Sequence, residues 1–338
     1  MASAPDKVTL VFSEPVTPAG TGIKVYGPTG REVAGAVTAR GPVLEAPVSA
    51  SETGTYVVLW QIYSSDTHPS RGAFAFSVGS SSANPYAGLL STPAAGTSTP
   101  LGLALQALAR WVHFAGFALT FGVVAYGVLT RRRERFGRLV LAGVGLLLVA
   151  EPLALIAQLA SLSFDADTAL AVLGSGFGGI LFLRLGAALV AWTLIATERP
   201  WPVLATGGAI AVLDGLTAHA IPSVPGAGQA LVSVHVAAMG LWAGGLVAFL
   251  RAPDPRFGRY ALTMFGLAVM TGLVLGLAHT RFGEELLGSD YGRVLLLKVA
   301  IVAAAAVAAS IRRRRAEAVA ILTAIGAAAL VAALPPPL

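Results

Sequence analysis

The 338-residue chain is 55% hydrophobic and 12% charged with a net charge of +6, so much of it must be solvated by something other than water. It has no cysteine, which excludes disulfides, zinc–cysteine sites and thiolate copper sites. Its arginines sit in short clusters between apolar runs, as cytoplasmic loops keep them, and this argues against a nucleic-acid partner.

The opening MASAPDKVTL has no apolar core of a secretory leader. Residues 1–79 alternate with period two. Val8, Leu10 and Phe12 form one face, Ile23 and Val25 a second, Tyr56, Val58, Trp60 and Ile62 a third, and Phe74, Phe76 and Val78 a fourth. Turn signals (GPTG, SETG and THPSRG) separate them. The pattern predicts a small antiparallel β-sandwich. Residues 80–100, rich in Ser, Gly, Pro and Ala without period, predict a flexible linker.

Residues 101–338 change character. Eight apolar runs lie near 105–130, 138–160, 178–197, 202–222, 228–250, 258–278, 292–311 and 317–334. Each approaches the ~20 residues that cross a ~30 Å hydrocarbon core as helix, which predicts an all-α polytopic bundle of about eight transmembrane helices. The arginine clusters follow runs one, three, five and seven, which places the β-domain and the C-terminus outside the cytoplasm. Gly240 with Gly244, and Gly272 with Gly276, have the spacing that lets membrane helices approach closely.

The ionisable residues of the bundle are unevenly distributed. His113 and His235 fall at similar depth in runs one and five, and His219 and His279 lie at the outer ends of runs four and six. Glu151, Arg184, Asp214 and Lys298 share the outer halves or the midplane, whereas the inner halves carry residues such as Thr120, Tyr126, Thr206 and Thr263. Ionisable groups left in lipid face one another or a wet cavity, so this arrangement predicts a polar chamber open to the outside. Met239 lies one helical turn beyond His235, and imidazole with thioether suits copper, Cu(I) above all. Met264 and Met270 read as core filler. Lys298 and Arg184 are candidate partners of Glu151, Asp214 or Glu284. Ser289 and Asp290 stand where a helix cap belongs, Asp290 also at the mouth of the expected chamber. Glu151 precedes Pro152, which reads as a kink or as a point of proton or ion handling.

The segments DKVTLVFSEPVTPAGTGIKVYGPTGREV and GTYVVLWQIYSSDTHPSRGAFAFSVG together resemble the CopC copper-binding domain. VHVAAMGLWAGGLVAFL and LLGSDYGRVLLLKVAI resemble CopD, its membrane partner, so the whole resembles a natural fusion of the two. The resemblance implies an Ig- or cupredoxin-like Greek-key sandwich. It also implies Cu(II) binding by a D-x-H element, here Asp66 and His68, with a leading histidine and its amine. This sequence lacks that histidine and the family's first strand. On extended backbone, residues i and i+2 lie on one side, so Asp66 and His68 can reach one ion.

The expected function is copper capture outside the cell and passage to or across the cytoplasmic (inner) membrane. Cu(II) would bind at the outer domain, and Cu(I) or Cu(II) at His113, His219, His235, Met239 and His279, with Glu151, Asp214, Asp290 and Lys298 in support. The bilayer and a periplasmic copper chaperone are the expected partners. One alternative is a redox protein holding b-type haem between His113 and His235; another is a membrane scaffold or sensor with a degenerate β-domain. No G-x-S-x-G, H-E-x-x-H or phosphate-loop motif is present, which argues against an enzyme and against ATP-driven pumping.

Overall fold

The computed structural model describes all residues except 1–3, 13–14, 65–68, 92–98, 132–136, 163, 219–220, 222–223, 281–282, 312–313 and 335–338. The chain divides into two compact units. One comprises residues 1–102 and 157–179, the other 103–156 and 180–338.

The first unit contains six strands: β1 (Lys7–Val11), β2 (Val16–Tyr26), β3 (Thr38–Arg40), β4 (Val43–Pro47), β5 (Gly54–Ser64) and β6 (Pro69–Val78). They form two three-stranded antiparallel sheets, in the orders β1-β4-β3 and β2-β5-β6. Period-two alternation gives each sheet one apolar face. Val8, Leu44 and Ala46 from one sheet meet Ile23, Val25, Tyr56, Val58 and Ile62 from the other in a shared core. The Tyr56 hydroxyl donates to the Glu52 carbonyl at 2.8 Å and its ring stacks on Phe76, so a large side chain is buried without stranding its polar end. β3 and β4 are the strands that the alternating faces named above leave out, although Leu44 and Ala46 of β4, with Val48 just beyond it, carry the same signal.

The segment after β6 departs from the expected loose linker. The Asn84 amide donates to the carbonyls of Gly27 and Thr55, both at 2.8 Å, and of Tyr26 at 3.3 Å. Tyr86 stacks on Tyr26 with ring centroids 3.9 Å apart. A Ser/Gly/Pro-rich composition hides one asparagine and one tyrosine, and these two seal residues 84–86 onto the sandwich.

The helices are α1 (Pro100–Phe117), α2 (Val123–Thr130), α3 (Gly137–Ser161), α4 (Ala166–Leu173), α5 (Gly176–Ile195), α6 (Pro200–Leu216), α7 (Pro225–Arg251), α8 (Phe257–Thr280), α9 (Glu285–Gly288), α10 (Asp290–Ser310) and α11 (Arg314–Ala333). A π-helical turn, Ala118–Gly122, joins α1 to α2 into one continuous span.

Among the described residues six helices are long and apolar enough to cross a membrane, so the expected count of about eight is not confirmed. The fourth apolar run gives α6, of 17 residues, which ends at Leu216 where Thr217 leaves the helical path. The apolar part of the eighth is Val319–Ala333. At ~1.5 Å per residue, both fall short of a ~30 Å core.

The first span is the centre of its bundle. Over an apolar stretch of 18 residues, 67% of the first span is buried, against 17–33% of the matching stretches in the other five. Glycines permit that centrality. A Cβ at Gly122 or Gly244 would strike the backbone of the facing helix, and one at Gly143 would meet the backbone of Thr120. The π turn widens α1, and glycines on α3 and α7 make room for it.

Candidate functional site

On α1, Gln106, Arg110 and His113 have spacing i, i+4, i+7 and therefore share one face. The His113 ring is buried between two carboxylates. Its Nδ1 lies 3.1 Å from Glu151 Oε1 on α3, and its Nε2 lies 3.1 Å from Asp214 on α6. Asp214 in turn accepts from Arg184 on α5 at 2.8 Å. The guanidinium also donates to Thr217 Oγ1 at 2.6 Å, just past the C-terminal end of α6 where carbonyls lack helical partners.

The result is a linear array, Glu151–His113–Asp214–Arg184–Thr217, across four helices. Two hydrogen-bond patterns satisfy it. An imidazolium donates to both carboxylates, or a protonated Glu151 donates to Nδ1 while Nε2–H donates to Asp214. Either way the four ionisable groups sum to no net charge, which is how four such groups are tolerated inside a bilayer.

This corrects the expected open chamber. His113, Glu151 and Asp214 are 6%, 2% and 7% exposed, so their charges are met by one another and not by water. The pairing of Arg184 with Asp214 is as expected. Pro152, within α3 directly after Glu151, removes one helical N–H beside the array.

His235, on α7, has a separate set of partners. Its Nδ1 lies 2.9 Å from Thr271 Oγ1, and the Thr271 hydroxyl itself donates to the Leu267 carbonyl at 2.7 Å. Nδ1–H is therefore the donor, and Nε2 accepts from Lys298 Nζ at 3.4 Å. Lys298 thus bonds an imidazole and none of the acids expected for it. A Cβ at Gly272 would approach His235 Cε1 to 3.0 Å, so glycine is what allows the ring to lie against α8. Met239 is packed against the apolar cluster containing Trp242 and Leu246, and Met264 joins the same cluster.

His279 is buried on α8 with Nδ1 3.4 Å from the Tyr291 hydroxyl on α10. Ser289 caps α10 by accepting from Gly292 N at 3.0 Å. Asp290 is exposed and faces Arg293 at 3.5 Å. Asp66, His68 and His219 lie outside the described residues.

The structure therefore distributes His113, His235 and His279 over three sets of partners. Among the described residues no group of three or more His, Asp or Glu side chains could hold a metal ion. The two nitrogens of His113, like those of His235, are already engaged by protein groups, so in this arrangement neither ring offers a free axial nitrogen to a haem. Sequence reading missed Gln106 and Arg110 as continuations of the His113 face, and the i, i+4, i+7 spacing was the available signal. It also missed Thr271, Tyr291 and Thr217, ordinary residues that only packing selects.

Three family models match. The CopC domain matches residues 1–79, the copper resistance protein D-like N-terminal domain residues 99–223, and copper resistance protein D residues 254–335. Among solved structures, the chain is similar to one titled as the crystal structure of CopC from Methylosinus trichosporium OB3b. The two are 29% identical over 25% of this chain and 86% of that one, with a TM-score of 0.22. No curated protein matches.

Proposed function

The chain is a CopC–CopD fusion, and from that premise we propose that it captures copper outside the cell and passes it to or across the cytoplasmic membrane. Copper is the cargo, and the protein acts as a carrier, not as an enzyme. The observation that carries the reading is the order of parts: a CopC-type β-domain, then a helical region whose centre holds ionisable side chains of both signs.

Orientation supports capture from outside. Arg131 ends α2, Arg199 precedes α6, and Arg251, Arg256 and Arg259 cluster at the end of α7 and the start of α8. The positive-inside rule puts these positions on the cytoplasmic side. The α7 helix is long and apolar enough to cross the bilayer, and on this reading its start lies outside. On the same reading α6 (Pro200–Leu216) lies on the return from the inner to the outer face, although it is short.

Within the membrane domain the copper donors of this reading are His235 and Met239, four apart on one helix face, with the imidazole exchanging its Nε2 bond to Lys298 for the metal. In the outer domain the donors of this reading are Asp66 and His68, hard and borderline ligands that suit Cu(II).

The test is copper stoichiometry of the purified full chain together with cellular copper accumulation, for wild type, Asp66→Ala/His68→Ala and His235→Ala. The reading expects each variant to lose bound copper and accumulation. Unchanged binding and accumulation in both variants would reject it.

A further inference from the structure

We infer that α4 is a docking element that seats on β2 and holds the β-sandwich of this chain, so that the domain does not wander on its tether. The inference rests on the capture reading only for its purpose. The contact itself is independent of copper.

Residues 162–175 connect two membrane-crossing helices, and a turn is all that such a connection requires. The chain instead builds α4 there. Asp165 caps it, accepting from Thr168 N at 2.8 Å and from Thr168 Oγ1 at 2.9 Å. Thr168 and Val172, four apart and on one face, are buried.

What α4 meets is a special point of the sheet. β2 is an edge strand, and its register with β5 shifts between Pro18 and Ile23. Gly20 and Gly22 within that bulge have φ of +59° and +74°. A Cβ on Gly20 would lie 3.4 Å from Thr168 Oγ1 and 4.0 Å from Thr168 Cα. A bulge turns an edge strand and leaves backbone unpaired, and covering it with a helix is one way proteins protect such an edge.

The placement has a consequence for capture. On the far side of the bulge, Val16, Thr17 and Pro18 pair with Ser64, Tyr63 and Ile62. Ser64 is the last described residue before the Asp66–His68 segment. A helix seated on β2 therefore fixes the strand pair from which that segment departs.

The absence of native cysteine makes the test clean. Gly20→Cys with Thr168→Cys places two sulfurs on positions whose spacing suits a disulfide. Gly41→Cys with Thr168→Cys is the control, since Gly41 has a similar φ of +58° and nothing within 4 Å. Mild oxidation of the full chain in membranes should cross-link the first pair at least tenfold faster than the second. Equal rates would overturn the inference.

A second measurement guards against misfolding of the cysteine variants. A protease site inserted within 92–98 is cut after membranes are prepared. The wild-type β-domain should stay with the membrane pellet, and Thr168→Arg should release it to the supernatant. Release of the wild-type domain to the same extent as the variant would also overturn it. Neither readout involves copper, so docking can fail while copper capture stands, and the reverse.

Discussion

Removing the His113 imidazole should expose the energetics of the buried array. Glu151 has a side chain only 3% exposed, and its hydrogen bond among the described residues is to His113. In His113→Ala that carboxyl group loses this partner in an apolar interior, whereas Asp214 keeps Arg184 at 2.8 Å. Breaking a buried pair from one side costs about 3–5 kcal/mol, most of it the group left unpaired. Glu151→Ala should cost less, about 1–2 kcal/mol, because His113 still bonds Asp214. The double variant should then lose at least about 2 kcal/mol less than the sum of the singles, since no carboxyl group is left unpaired. Unfolding of the full chain in mixed micelles, followed by tryptophan fluorescence, reads all four corners of the cycle. Additivity within about 0.5 kcal/mol would show that imidazole and carboxylate do not depend on each other, and the array as described would be wrong.

Three further outcomes are expected. Gly244→Ala, whose Cβ would strike the Ala118 carbonyl, should cost about 1–3 kcal/mol by forcing α1 and α7 apart, whereas Gly145→Ala, with open space at its Cβ, should be tolerated; thermal unfolding distinguishes them. Asn84→Ala strips three carbonyls of a donor and should lower the protection of β2 and β5 against hydrogen exchange by about 1–3 kcal/mol. Bonds from Lys7 and Thr9 hold Glu45 below the usual carboxylate range, so their small contribution is present at neutral pH and is lost as pH falls through that lowered value. Glu45→Gln should flatten this acid limb of the β-domain stability profile, and an unchanged limb would contradict the assignment.

The β-sandwich was legible because burial on one face of a strand writes itself as alternation, and Val8, Ile23, Val25, Tyr56, Val58 and Ile62 are all in the core. The sealed segment at 84–86 was not legible, because its order comes from one asparagine among residues that favour disorder. Apolar runs marked the membrane helices, but apolarity does not report where a helix stops, and α6 ends at Leu216 short of a full crossing. Depth along each run indicated that His113, Glu151 and Asp214 share a level. It could not say that they bond one another, because azimuth around each helix is set by tertiary packing. The same limit hid the pairing of Lys298 with His235. The π turn left no sequence signal beyond the glycines that make room for it.

The central claim, that copper taken up from outside enters or crosses the membrane domain, is tested most directly by chelator protection. Proteoliposomes bearing the full chain are exposed to external copper, washed with a membrane-impermeant chelator, and assayed for retained metal. The account predicts protein-dependent, chelator-protected copper that falls to the level of empty vesicles in Asp66→Ala/His68→Ala and in His235→Ala. Copper that the wash removes completely from the wild-type protein would contradict it.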